Sequence, residues 1–222
     1  PYLVDRPTVL NILWRTKVIR DTGLAFFARH PEAWGVNLGC GLSQYFQWLD
    51  NGRNTWLDTD MRPSMELRRR LLPPDTARQR SAIIDLRRPQ WWQDLNLPAQ
   101  ALGQPLFMLC EGVLMYLQPQ QVRHVLHSFA AQAPAGSRLV LDILAGCAVG
   151  MAQWHASVGP TKAQFHWGIR SLQELTDCHP RLRLLATHSV AASHGWMGIA
   201  AERVWSYWSS TPLYGVVELG VD

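Results

Sequence analysis

The chain holds 222 residues, 47% of them apolar and 17% charged, and 21 Lys and Arg against 17 Asp and Glu leave a net charge of +4. That much apolar material excludes a mainly disordered chain and fits one domain, 1–222, of generous size. The mild basic excess falls short of the dense positive face of a nucleic-acid binder, so no nucleic-acid partner is expected. Cys40, Cys110, Cys147 and Cys178 lie far apart and form no CxxC pair, which argues against a disulfide framework and a structural zinc. A reducing cytoplasm is the expected compartment. No stretch reaches the roughly 18 apolar residues of a membrane span, so no membrane partner is expected. The opening Pro1-Tyr2-Leu3-Val4-Asp5-Arg6 lacks the layout of a signal peptide, and the absence of a first Met leaves an upstream segment open. The 11 tryptophans read as core and amphipathic surface.

Apolar positions at helical spacing make residues 8–29 a helical lead-in, within a 1–30 N-terminal unit. Residues 33–38 read as a buried strand ending in Gly39-Cys40-Gly41, and a helix is expected over 42–49. Asp50-Asn51-Gly52 marks a turn before a second strand over 54–58. Pro63 sits in the first turn of a helix over 62–72, which Pro73-Pro74 stops. A third strand is expected over 81–85, a fourth over 105–110, a helix over 118–131 and a fifth strand over 138–142. Residues 145–170 are irregular, rich in Gly, His and Trp, and read as an insertion or lid over the site. A short helix over 171–178 carries Ser171 and Glu174 at capping-box spacing. Residues 181–188 and 201–208 read as two late strands forming an antiparallel edge. Continuous apolar strands alternating with helices imply a doubly wound, mostly parallel α/β sheet of seven strands. Ligands of such sheets bind beyond the carboxyl ends of the strands.

Four strand tips carry the chemistry. Gly39 and Gly41 permit a tight turn and close ligand approach, but a dinucleotide fingerprint would place glycine where Gln44 stands. Asp58 and Asp60 project to one side of the second strand, about 20 residues after the glycines, where a carboxylate meets a ribose diol. A turn carboxylate capping the next helix is the bland alternative for one of them. Asp85-Leu86 at the third tip can meet an adenine edge, and Glu111 at the fourth needs a cationic partner such as an ammonium. Together the four tips favour a bound adenosine bearing an amino acid, S-adenosylmethionine.

Val36-Asn37-Leu38-Gly39-Cys40-Gly41-Leu42, Leu57-Asp58-Thr59-Asp60 and Glu111-Gly112-Val113-Leu114-Met115-Tyr116-Leu117 resemble the leucine carboxyl methyltransferase family, including its bacterial branch of tetracenomycin-polyketide-type O-methyltransferases. Phe165-His166-Trp167-Gly168-Ile169-Arg170 resembles a late motif of bacterial members, and the resemblance runs from about Arg15 to Asp177. It implies a Rossmann-like class I methyltransferase fold. By that resemblance Arg15 binds the cofactor carboxylate, and Gly39 and Gly41 line its methionine part. Asp60 takes the ribose, Asp85 and Leu86 the adenine, and Glu111 the ammonium. The family's usual Asp-Thr-Arg after the glycines is Ser43-Gln44-Tyr45 here, and its N-terminal segment covering the site is short or absent.

Methyl transfer from a sulfonium needs alignment and exclusion of water more than general acid–base help. A carboxylate acceptor needs no base. For a hydroxyl acceptor, His155 and His166 are the candidate bases, and Tyr116 is a candidate hydrogen-bond partner. Trp154, His155, His166, Trp167 and Arg170 are the expected acceptor pocket. His124 and His127 lack a third ligand, so no metal is expected, and Cys40 in the glycine turn has no nucleophile elbow around it. The expected function is S-adenosylmethionine-dependent O-methylation of a carboxylate or hydroxyl on a small, polyketide-like molecule. A non-catalytic binding protein of the same fold is the alternative, and an NAD-type oxidoreductase the weaker one. The sequence leaves a homo-oligomer open.

Overall fold

The structure, a computed structural model, describes residues 6–150, 163–207 and 209–222. Helix α1 (Arg6–Arg29) leads into β1 (Trp34–Leu38), α2 (Tyr45–Leu49), β2 (Thr55–Asp60), α3 (Arg62–Leu71) and β3 (Gln79–Ile83). Two short helices, α4 (Trp91–Asp94) and α5 (Ala99–Leu102), precede β4 (Phe107–Cys110), α6 (Pro119–Gln132) and β5 (Arg138–Leu144). The remainder comprises α7 (Gln173–Thr176), β6 (Leu182–Ser189), α8 (Gly195–Ser206) and β7 (Tyr214–Val221). One seven-stranded sheet runs β3-β2-β1-β4-β5-β7-β6. Only β7 is antiparallel to its neighbours, β5 and β6. Among the described residues no helix is long and apolar enough to cross a membrane.

Strand alternation splits the core in two. On β4, Met108 and Cys110 pack on one face with Leu126 and Phe129 of α6 and with Trp91 and Trp92. Phe107 and Leu109 pack on the other with Phe26 and Phe27 of α1 and Trp56 of β2. Both faces are covered, which is why the strands read as unbroken apolar runs. The chain builds outward from β1 to β2 to β3 and then returns to place β4 on the other side of β1, so the direction of winding reverses at the β1–β4 gap. The site opens there.

Four expectations need correction. Helix α2 begins at Tyr45, because the residues before it form a loop whose carbonyls face Arg68. Strand β3 starts at Gln79, ahead of the expected 81. Helix α7 begins at Gln173 with Leu172 at its N-cap and no side-chain cap bond, while Glu174 accepts from the Arg170 N–H at 3.2 Å.

The largest correction lies near the C-terminus. Of the residues expected as a strand over 201–208, those at 201–206 belong instead to α8, whose Ala200, Ala201, Glu202 and Arg203 are good helix formers. The seventh strand is β7, buried along almost its whole length between β5 and β6, so it shows a continuous apolar run rather than alternation.

Candidate active site

The loop after β1 is held by backbone and by a buried ion pair. Gly39 and Cys40 donate their N–H groups to the Thr59 carbonyl at 2.8 and 2.9 Å. Gly39 has φ +72°, and a Cβ there would lie 2.3 Å from Val113 Cγ2, so both conformation and packing require glycine. At Gly41, φ +49°, a Cβ would meet nothing within 4 Å, leaving open space beside the loop. The Gly41 N–H donates to Asp60 Oδ2 at 2.8 Å, and the Met61 N–H donates to Asp60 Oδ1 at 2.7 Å.

Beneath this loop lies Arg68 of α3, only 5% exposed. Its Nη1 donates to the Gly41 and Ser43 carbonyls at 3.0 and 2.6 Å, and its Nη2 donates to Asp58 Oδ2 at 2.8 Å. Asp58 also accepts from Trp56 Nε1 at 2.9 Å, Gln79 Nε2 at 2.9 Å and Asn37 Nδ2 at 3.3 Å. Every lone pair of a buried carboxylate is thereby used. Asp58 is thus a support of the loop, and Asp60 is the carboxylate at the strand tip.

At the ends of β4 and β5 sits a second charged group. Arg15 of α1 places Nε 2.5 Å from Glu111 Oε1 and Nη1 3.1 Å from Asp142 Oδ2. The Nε contact is an ion pair whose N–H is not aligned on the oxygen. Nη1 also donates to the Tyr214 hydroxyl. Tyr214 donates in turn to Asp142 Oδ2 at 2.6 Å, Gly112 N–H to Asp142 Oδ1 at 2.8 Å, and Tyr45 to Glu111 Oε2 at 2.6 Å. Two carboxylates against one guanidinium leave one negative charge in a largely buried site.

Burial opposes the Arg15 charge, but Tyr214, Asp142 and Glu111 together outweigh it and hold the guanidinium protonated. Burial and neighbouring carboxylates push Tyr214 and Tyr45 well above the ordinary phenol range, so both remain neutral donors. Tyr116 moves the same way, through burial and then Asp142, which suits a hydrogen-bond donor and not a base. Burial, then Asp58, pushes the Cys40 thiol up to about 12, so it is no nucleophile at neutral pH.

These groups border a cavity of about 1180 Å³. Arg15, Gly39, Gly41, Glu111 and Tyr116, all candidates from the sequence, line it. Asp60 is tied to its rim through Gly41. Asp85 and Leu86 lie away from it: Arg87 grips the Asp85 carboxylate at 2.7 and 2.8 Å, and the Leu86 side chain is packed in the core.

The expected acceptor wall is not where the sequence put it. Trp167 is 8% exposed and packs in the core, Arg170 is exposed on the outside, and His166 is fixed by its N–H to the Met115 carbonyl at 2.8 Å. None of the three lines the cavity. Trp154 and His155 lie outside the described residues. Cys147, Ala148 and Phe165 are the lining residues of the 145–170 segment among those described. Further lining comes from Asn11 and Ile12 of α1, from Val190, Ala191 and His194, and from Gly198, Glu202 and Trp205 of α8. The spacing of four and then three on α8 is a helical face, a signal hidden by reading that stretch as a strand. Asp142 and Tyr214 carry no sequence signal of this role, because only the fold brings them to Arg15. Among the described residues no group of three or more His, Cys, Asp or Glu is placed to hold a metal ion.

The family model described as leucine carboxyl methyltransferase matches residues 5–130. The tetracenomycin polyketide synthesis O-methyltransferase of Streptomyces glaucescens is 27% identical over 174 residues, 78% of this chain and 62% of that protein. The chain therefore spans less than two-thirds of that relative. A structure from Thermobifida fusca YX assigned as a methyltransferase superposes with a TM-score of 0.68 at 16% identity, covering 97% of this chain and 82% of that one. A DUF574 family protein from Streptomyces avermitilis gives 0.66 at 12% identity, over 96% and 83% of the two chains.

Proposed function

The chain belongs to the leucine carboxyl methyltransferase family, and from that premise we propose that it is an S-adenosylmethionine-dependent O-methyltransferase acting on a small molecule. The observation that carries this reading is the Arg15–Glu111 pair beside the glycine loop. A guanidinium and a carboxylate 2.5 Å apart at the tip of β4 are matched to the carboxylate and ammonium of an amino-acid zwitterion, which can replace each as the other's partner.

The open space at Gly41 fits the group that this reading requires. Asp60 at the second strand tip is suited to a ribose diol, and Asp85 with the Leu86 backbone to an adenine beyond the cavity rim. The net negative charge around Glu111 and Asp142 suits a cationic sulfonium and opposes the pyrophosphate of a dinucleotide. That disfavours the oxidoreductase alternative.

Bound S-adenosylmethionine supplies an already activated methyl group. The chain's own part is then alignment, exclusion of water and charge placement. Tyr116, 37% exposed at the cavity wall and packed against Phe165, is placed to donate a hydrogen bond to an acceptor. Cys147, Ala148 and Phe165 support a covering role for the 145–170 segment. Small-molecule pockets run to about 1,000 Å³, so this cavity has room for an acceptor beside the donor. The role of the Streptomyces glaucescens relative in tetracenomycin polyketide synthesis supports a polyketide-like acceptor, and four free cysteines support a cytoplasmic setting.

A thermal-shift panel tests the reading. S-adenosylmethionine and S-adenosylhomocysteine should raise the melting temperature by mass action, and NAD should not. A shift with NAD alone contradicts it.

A further inference from the structure

Helix α8 is arranged against the usual rule for a packed helix. Its exposed side and C-terminal end carry Trp196, Val204 and Tyr207, which are 78%, 62% and 86% exposed. Its cavity face carries Gly198, Glu202 and Trp205. Burial alone would turn the valine inward and the glutamate outward.

The helix is nonetheless closely seated. An added Cβ on Gly198 would lie 2.1 Å from the Ala191 carbonyl oxygen, so the glycine lets α8 press onto the 190–194 turn. That turn is itself tied to α1, since Ser193 Oγ and His194 Nε2 both reach Asn11 Oδ1, at 3.2 and 2.8 Å. Glu202 follows Gly198 by one helical turn and so faces the same cavity. The carboxylate is half-buried and has no hydrogen-bond or ion-pair partner among the described residues. The same cavity is walled by Ile12, Val190 and Leu213 as well as by Asn11 and His194, and on its other side Glu202 borders a smaller cavity shared with Trp14, His188 and Arg203. Trp205 has its indole N–H already given to the Thr211 carbonyl at 2.7 Å.

We infer that the part of the cavity walled by α8 takes an acceptor with an apolar body and a protonated nitrogen, which Glu202 binds as its counter-ion. An unpaired carboxylate on the cavity wall offers a charge-assisted hydrogen bond that only a ligand with a donor, best a cationic one, can take up. Arg170 lies outside the cavity, and Arg15, which lines it, is already paired with Glu111 and Asp142. Glu202 thereby selects for a basic acceptor over an acidic one of the same shape. The inference rests on the methyl-transfer reading only for the use made of this space.

The test titrates phenylpropylamine, phenylpropanol and phenylpropionate into the full chain, with and without saturating S-adenosylhomocysteine. The amine should bind on the order of tenfold more tightly than the carboxylate. In Glu202→Gln, which keeps the shape and removes the charge, that preference should vanish while S-adenosylhomocysteine binding is unchanged. Equal or tighter binding of phenylpropionate to the wild type overturns the inference. So does an amine preference that survives in Glu202→Gln. Failure of S-adenosylhomocysteine to bind strikes the cofactor reading instead, because the three probes are compared in its absence as well.

Discussion

Arg15 of α1 and Glu111 at the tip of β4 form an ion pair at 2.5 Å, with Arg15 also held by Asp142 at 3.1 Å. The pair joins the N-terminal helix to the switch point of the sheet, where the strand order reverses. Each member therefore has a structural and a binding consequence.

Arg15→Ala leaves Glu111 and the fully buried Asp142 without their cation. The expected loss is about 3 kcal/mol of folding stability, read by urea denaturation, together with loss of S-adenosylhomocysteine binding. An unchanged midpoint would show that the two carboxylates do not depend on Arg15.

Tyr214 acts through Arg15 and Asp142, so it is a positioning residue. Tyr214→Phe removes the hydroxyl that donates to Asp142 at 2.6 Å and should weaken S-adenosylhomocysteine by about tenfold, as one hydrogen bond to a charged group is worth about 1.5–3 kcal/mol. Methylthioadenosine lacks the amino-acid part and should bind the variant as it binds the wild type. Equal weakening of both ligands would assign Tyr214 a general packing role.

Much of this site was legible in the sequence, and the reason is local. Gly39, Gly41, Asp60 and Glu111 all stand at strand tips, where a period-two pattern ends and a turn begins. Arg15 was reached through its resemblance to a family motif, not through its helix. Asp142 was hidden because it lies within β5 at 0% exposure, its role set by Arg15 and Tyr214 at distant points of the chain. Glu202 is hidden in the sequence because the apolar residues around it fit a strand as well as a helix. Trp167 and Arg170 were misplaced because a motif without a strand or helix around it carries no facing direction.

Arg68→Ala should cost about 3–5 kcal/mol, since it strands Asp58, which is 1% exposed. It also frees the Gly41 and Ser43 carbonyls, so cofactor binding should weaken beyond what the stability loss explains. Asp58→Asn combined with Arg68→Met keeps volume without charge and should recover most of the stability. If the double variant recovers none, the ion pair is not the source of the loss.

Alkaline conditions should destabilise the fold. The Cys40 thiol, ordinarily near 9.0, is pushed up to about 12 in the folded chain, and Tyr45 and Tyr214 move in the same direction. The folded state therefore holds protons that the unfolded state releases, so stability is fully present below about pH 9 and falls as the pH rises toward 12. Denaturant midpoints measured across that window check the sign. In the same series, iodoacetamide at neutral pH should label the exposed Cys147 and spare the buried Cys40 and Cys110.

The most direct test of the account is calorimetric titration of S-adenosylhomocysteine into the wild-type chain and into Glu111→Gln. Micromolar binding to the wild type, weakened at least tenfold in a folded Glu111→Gln, is the predicted result. No binding to the folded wild type, or equal affinity in the two proteins, contradicts the claim that Glu111 and Arg15 receive the amino-acid end of the cofactor.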